Sequence, residues 1–172
     1  FAQVSHEYLI EQLQKETVTT AATGGNVTLN FNHPVKELVW CATGETDGVD
    51  AAGTIEGPAV PTAAFASGDT AKLTLNGHDR FAARDMVYFT RAQIWQHHTG
   101  YGGTQLKDSI AVYSFALKPE EHQPSGTCNF SRIDNARLEF TGTSIPTSMN
   151  VYAVNYNVLR VMSGMGGLAY SN

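Results

Sequence analysis

The sequence predicts an all-β fold, a sandwich or barrel of which the two-sheet jelly roll is a natural member. Three observations carry this. Roughly seven or eight short stretches alternate apolar and polar residues with the two-residue period of a pleated strand. No long amphipathic helix stands out between them. Gly and Asn turn signals separate them at short intervals. A chain of 172 residues is one ordinary domain, and one of that size removes roughly 70% of its unfolded surface from water without help from metal or disulfides.

The elements follow in order. The opening HEYLIEQLQKETVT is ambiguous, because Leu9, Ile10 and Leu13 fall at helical spacing whereas Thr17 to Thr20 favour extended chain. From Asn26 to Asn32, NVTLNFN puts Val27, Leu29 and Phe31 on one face and Asn26, Thr28, Asn30 and Asn32 on the other, which describes a half-buried strand. KELVWCA, Lys36 to Ala42, follows the turn pair His33-Pro34, which keeps proline out of the ladder, and predicts the next strand. Gly44 to Asp69 is dense in Gly, Ala, Pro and acid, almost without bulky apolar residues, and predicts a long surface loop that does not reach far into the core. AKLTLN, Ala71 to Asn76, points Leu73 and Leu75 inward and stops at the turn Asn76-Gly77. Arg80 to His98 follows neither period, and short helical turns are expected there. Ser109 to Leu117, SIAVYSFAL, is apolar on both faces and predicts a central strand covered on both sides. Arg137 to Phe140 buries Leu138 and Phe140. Asn150 to Met162 is the strongest strand, with Tyr152, Val154, Tyr156 and Val158 facing the core and Asn155 and Asn157 facing away.

Composition excludes several functions. Charged residues are 16% and the net charge is −5, with no basic run to match a nucleic-acid backbone. The apolar stretches are far shorter than the roughly 20 residues that cross a bilayer, and no charged-then-apolar leader opens the chain. Cys41 and Cys128 are too few for a disulfide framework or a thiolate zinc cage, so a reducing compartment, or one bridge at most, is expected. The first residue is Phe1, which predicts a processed chain or a piece of a longer one.

Candidate chemistry is sparse. His97 and His98 are the one pair that suggests metal ligands, but neighbours on a strand point to opposite faces, and His6, His33, His78 and His122 show no ligand spacing. Packing or surface histidines are the better account, and no metal or other cofactor is expected. No G-x-S-x-G elbow occurs. Ser163-Gly164-Met165-Gly166-Gly167 reads as a flexible tail, and Glu120-Glu121 as a solvated turn. Asn26 and Asn129 head N-x-S/T triplets and are weak candidate glycan acceptors. Arg80, Arg84 and Arg91 lie among Tyr88, Phe89 and Trp95, where ion pairs or cation–π contacts account for them as well as any ligand.

One longer string is far more specific than these motifs. SIAVYSFALKPEEHQPSGTCNFSRIDNA, Ser109 to Ala136, resembles the C-terminal half of the major capsid proteins of nucleocytoplasmic large DNA viruses. NGHDRF with Arg84 and Tyr88-Phe89, QHHT at Gln96 to Thr99, and VNYNVLRVMSGMGGLAYSN at Val154 to Asn172 support the resemblance, and EYLIEQLQ near the start fits it. The Gly44 to Asp69 stretch carries no recognisable part of the resemblance, as expected of a variable outer loop.

The resemblance implies an eight-stranded two-sheet jelly roll over residues 1–172, the second of two in a full-length subunit. It reads Tyr8 to Thr17 as strand, ends a strand at Lys118 to Glu121, and makes Gly126 to Asp134 an ordered crossover. It further implies a structural protein without catalytic activity. Its partners would be itself, as a pseudo-hexameric homotrimer, neighbouring capsomers and minor capsid proteins, with no nucleic acid and no membrane insertion. The place would be the virion capsid, assembled in host cytoplasm, with both thiols free. The aromatic residues in irregular segments, Phe65, Phe81, Tyr88, Phe89, Trp95 and Tyr101, together with Arg84, are candidate assembly contacts; the alternative is that they are core. Two rival readings of a β-sandwich remain, a carbohydrate-binding module with exposed aromatics and a cupin-type metalloenzyme. Neither accounts for the Ser109 to Ala136 string.

Overall fold

A computed structural model describes residues 3–43, 65–66, 68–100, 110–143 and 145–170. Two antiparallel sheets face each other. With strands numbered in chain order, the first sheet runs β1 (His6–Thr19), β10 (Ser148–Met162), β3 (Pro34–Ala42), β7 (Ile110–Ser114), with β11 (Met165–Leu168) on β10 and β8 (Cys128–Asn129) on β3. The second runs β2 (Gly24–Leu29), β9 (Ala136–Thr141), β4 (Thr70–Leu75), β5 (His78–Asp79), with β6 (Arg84–Asp85) on β4. Four main strands over four is the jelly-roll architecture expected from the sequence. The ambiguous opening segment is strand: β1 pairs with β10 along its whole length, from His6 opposite Val161 to Thr19 opposite Ser148.

The core lies between the sheets. Leu38, Trp40, Val151 and Ala153 from the first meet Val27, Leu29, Ala71, Leu73, Leu138 and Phe140 from the second, all buried. Turn chemistry sets several strand ends. Asn76 and Gly77 both take positive φ, 50° and 81°, the two-residue hairpin geometry whose twist matches the flanking strands, and join β4 to β5. At Gly24, φ is +102° and a Cβ would run into the carbonyl of Phe140, so the close pairing of β2 with β9 needs glycine there.

Several expectations are corrected. In β10 the core face is the other one: Met149, Val151 and Ala153 are fully buried, whereas Tyr152 and Val154 are half-buried on the outer side. Asn155 and Asn157, expected outside, are inside, because β1 supplies partners for them. Gln14 Nε2 donates to Asn155 Oδ1 at 3.1 Å and to Asn32 O at 2.8 Å. Asn157 Nδ2 donates to Gln12 Oε1 at 3.0 Å and to Tyr170 O at 2.9 Å. Tyr156 is buried as expected but on the outer side, opposite Glu11, where its hydroxyl donates to His122 O at 3.4 Å. Strand β7 is not central. It ends the first sheet, and its apolar character reflects a helix lying along its free edge.

Residues 163–167 do not form a flexible tail. Ser163 and Gly164 take positive φ, 50° and 79°, and turn β10 into β11. Pro34 is not kept out of the ladder but opens β3, a position where its missing donor is tolerated. Of the expected Gly44 to Asp69 loop, residues 44–64 and 67 lie outside the described residues. Its far end does reach the core: Phe65 is buried, and the carboxylate of buried Asp69 accepts from Ala66 N–H and Thr143 N–H, both at 2.9 Å.

Candidate functional site

The irregular segment after β6 was the expected place for contact residues, and the chain there becomes helical. Asp85 Oδ1 accepts from Val87 N–H at 2.9 Å, and a π-helical turn, Tyr88–Ala92, runs into the short helix α1 (Gln93–His97). The helix seals the sandwich edge with aromatic rings: Phe89 meets Trp40 at 5.3 Å, Phe81 at 5.5 Å and Tyr88 at 5.1 Å between centroids, and Phe81 meets Tyr113 at 4.7 Å. Gln93 Oε1 accepts the Ser114 N–H at 3.1 Å while its Nε2 donates to Tyr88 Oη at 2.8 Å. An edge donor of β7 that would otherwise template strand addition is thereby occupied.

This geometry divides the candidate contact residues. Phe89 and Phe65 are core side chains, not free surface, because they fill the space between the sheets. Phe81 and Tyr88 are half-buried against that core. Arg84 is exposed, with its guanidinium carbon 4.5 Å from the Tyr88 ring centroid. Trp95, 75% exposed, presents its ring to solvent. Tyr101 lies outside the described residues. Asn26 is exposed on β2, and exposed Asn129 accepts from Ser131 N–H at 3.1 Å, capping the 3-10 turn Phe130–Arg132.

His98 was not paired with any partner by sequence spacing. It sits between two carboxylates, Nε2 at 3.0 Å from Glu37 and Nδ1 at 3.2 Å from Glu120. Glu120 also accepts from Thr99 N–H at 3.0 Å and Thr99 Oγ1–H at 3.2 Å, which hold its carboxyl below the ordinary value. His97 Nδ1 lies 3.1 Å from Leu117 O, away from His98's partners. Beside them, Lys36 is an extra residue in β3 where the register with β10 slips, a bulge that sends its ammonium to Glu11 at 2.6 Å and 5.6 Å from the Tyr156 ring centroid. These contacts pin the turn around Glu120 to the outside of the first sheet. Among the described residues no three His, Cys, Asp or Glu side chains converge to hold a metal. Cys41 and Cys128 are unbridged, and burial pushes both thiols up.

The outer faces of the two sheets differ in chemistry. Across the second sheet lie Asn26, Glu139 and Lys72 in one row and Thr28, Arg137, Thr74 and Asp79 in the next, with Lys72 Nζ 3.0 Å from Glu139 and 3.2 Å from Asp79. Across the first, one row reads Lys15, Tyr152, Val39, Val112, flanked by Leu13 and Val154 on one side and Cys41 and Ile110 on the other. Leu13 is 63% exposed and Ile110 49%.

The family model described as large eukaryotic DNA virus major capsid protein matches residues 1–167. The chain is 50% identical over 191 residues to the major capsid protein of Pyramimonas orientalis virus, covering all of this chain and 45% of that protein. It is 42% identical over 223 residues to the major capsid protein of Paramecium bursaria Chlorella virus 1, again covering all of this chain and 50% of that protein. The chain therefore spans about half the length of these relatives. A solved structure, the PBCV-1 virus capsid, superposes with a TM-score of 0.77 at 40% identity over 99% of this chain and 53% of that one. A Faustovirus major capsid protein shares the fold at 13% identity and a TM-score of 0.62. From its jelly-roll topology to its residue-level likeness along almost the whole length, the chain belongs to the family of large eukaryotic DNA virus major capsid proteins.

Proposed function

We propose that this chain is the C-terminal jelly roll of a capsid subunit and that its work is self-association. The full-length subunit forms a homotrimer with a pseudo-hexameric outline, since two sandwiches per subunit give six around the axis. Trimers tile an icosahedral shell with neighbouring capsomers and minor capsid proteins, assembled in host cytoplasm. The observation that carries this reading is the match of residues 1–167 to a family of capsid proteins in a chain half as long as its relatives. The surface around α1 is a proposed contact region, because an exposed Trp95 and an exposed Arg84 stacked on Tyr88 are residue types that interface cores favour. Asn26 and Asn129 remain proposed glycan acceptors, both exposed.

The mass of the full-length protein in solution, by light scattering, tests the reading. A species of three subunits is expected. A monomer at every concentration that can be reached would overturn it.

A further inference from the structure

The hydrogen bonds that fasten the turn around Glu120 to the first sheet do not balance unless one group on the path carries a further proton. His98 offers Nε2 to Glu37 at 3.0 Å and Nδ1 to Glu120 at 3.2 Å. An ionised carboxylate only accepts, whereas a neutral imidazole has a single N–H to donate. Between two carboxylates, a neutral His98 would point a lone pair at an oxygen at one end or the other; the imidazolium donates at both. Thr99 donates to Glu120 twice and favours its ionised form, so Glu120 does not supply the missing proton. Glu37 is buried, which makes an unmatched contact there costly. The other charged groups on this face have partners of their own. Lys36 Nζ meets Glu11 at 2.6 Å, His122 Nδ1 lies 3.6 Å from the same carboxylate, and Lys118 Nζ meets Glu121 at 3.1 Å. His97 turns its Nδ1 to Leu117 O, and the residues beside Glu37 across the sheet are the neutral Val154 and Ser114. Lys36 and Tyr156 are both buried on this side, the Tyr156 hydroxyl donating to His122 O in the turn.

We propose that His98 and Glu37 form a proton-operated clasp. With the imidazolium in place, the turn around Glu120 is fastened to β3 and shields Tyr156. Loss of that proton leaves His98 one N–H, so it keeps one carboxylate and lets go of the other. Either choice breaks the path between turn and sheet, and the turn lifts from Tyr156. The clasp is closed on the acidic side of the ordinary histidine range and open on the basic side. It weakens again only where Glu120 itself takes up a proton, below the usual carboxylate value. The outer surface of the first sheet thereby depends on proton concentration, through groups that all belong to this chain.

Hydroxyl-radical footprinting of the full-length protein, read by peptide mass spectrometry, tests the clasp at about pH 5.5 and about pH 8.5, on either side of the ordinary histidine range. Oxidation of Tyr156 is measured against exposed Tyr170, which has the same chemistry, and buried Trp40 reports whether the sandwich stays folded. The Tyr156 ratio is expected to rise at least about fivefold at the higher pH while Trp40 stays protected, as local opening without global unfolding requires. Two variants separate the proton from the packing. Glu37→Gln supplies an amide that can donate to the unprotonated ring nitrogen, so Tyr156 should stay protected at both pH values. His98→Gln cannot donate to both carboxylates in either condition, so Tyr156 should react at both as it does in the parent at the higher pH. An unchanged Tyr156 ratio in the parent would overturn the proposal. So would a rise shared by Trp40, or a Glu37→Gln protein that follows the pH response of the parent.

Discussion

Glu120 shows how little of the local chemistry a residue's own sequence context reveals. Its neighbours suggest a solvated acidic turn, yet it accepts from Thr99 twice and faces His98. Those bonds favour the charged form and hold its carboxyl below the usual 4.5. The folded chain therefore takes up this proton at lower pH than the unfolded chain does. The stabilisation is complete above the ordinary carboxylate value and drains away as pH falls through the lowered one. Glu120→Gln should flatten the loss of melting temperature between about pH 5 and pH 3; a profile parallel to the parent's would refute the assignment. Asn155 is 0% exposed and accepts from Gln14. Asn155→Leu should cost about 1–3 kcal/mol, the desolvation of a partner left unpaired, and lower the melting temperature by roughly 2–4 °C for each of them. The unbridged Cys41 and Cys128 should both titrate after unfolding without reductant, and a count of zero would show a bridge.

At the scale of elements, Phe65 separates an anchor from the chain before it. Phe65→Ala should cost about 3–5 kcal/mol, because the ring is buried in the main core. Replacing residues 44–64 with a Gly/Ser linker of about ten residues should leave the melting temperature within a few degrees, since each doubling of loop length costs only about 0.6 kcal/mol. Calorimetry on both variants checks the pair; a linker variant that melts like Phe65→Ala would place a core element within residues 44–64. Strands with one apolar and one polar face were legible: Val27, Leu29 and Leu138 lie where alternation puts them. In β10 the pattern alone allows either face inside, and the Asn155 and Asn157 face is the buried one, because their partners Gln14 and Gln12 come from β1, more than a hundred residues earlier. The edge position of β7 was hidden for a similar reason, its cover arriving with α1. The His98 cluster joins residues 61 and 22 positions apart, which leaves no spacing signal to find.

For the whole molecule, the pairing of the first strand with the last governs timing. His6 to Thr19 find their partners only at Ser148 to Val161, so refolding is expected in the milliseconds-to-seconds range of β-sandwiches, and a microsecond phase that restores native tyrosine and tryptophan fluorescence would contradict this. The same closure has a meaning during synthesis. A ribosome adding roughly 5–20 residues per second takes on the order of ten seconds to travel from the end of β1 to the start of β10, and through that interval the outer strand has no mate. The sheet cannot zip until β10 emerges, so a chain truncated before it lacks the native partner of β1. A chain interrupted before β10 leaves β1 an unpaired edge, the kind of exposed strand that chaperones and proteases act on.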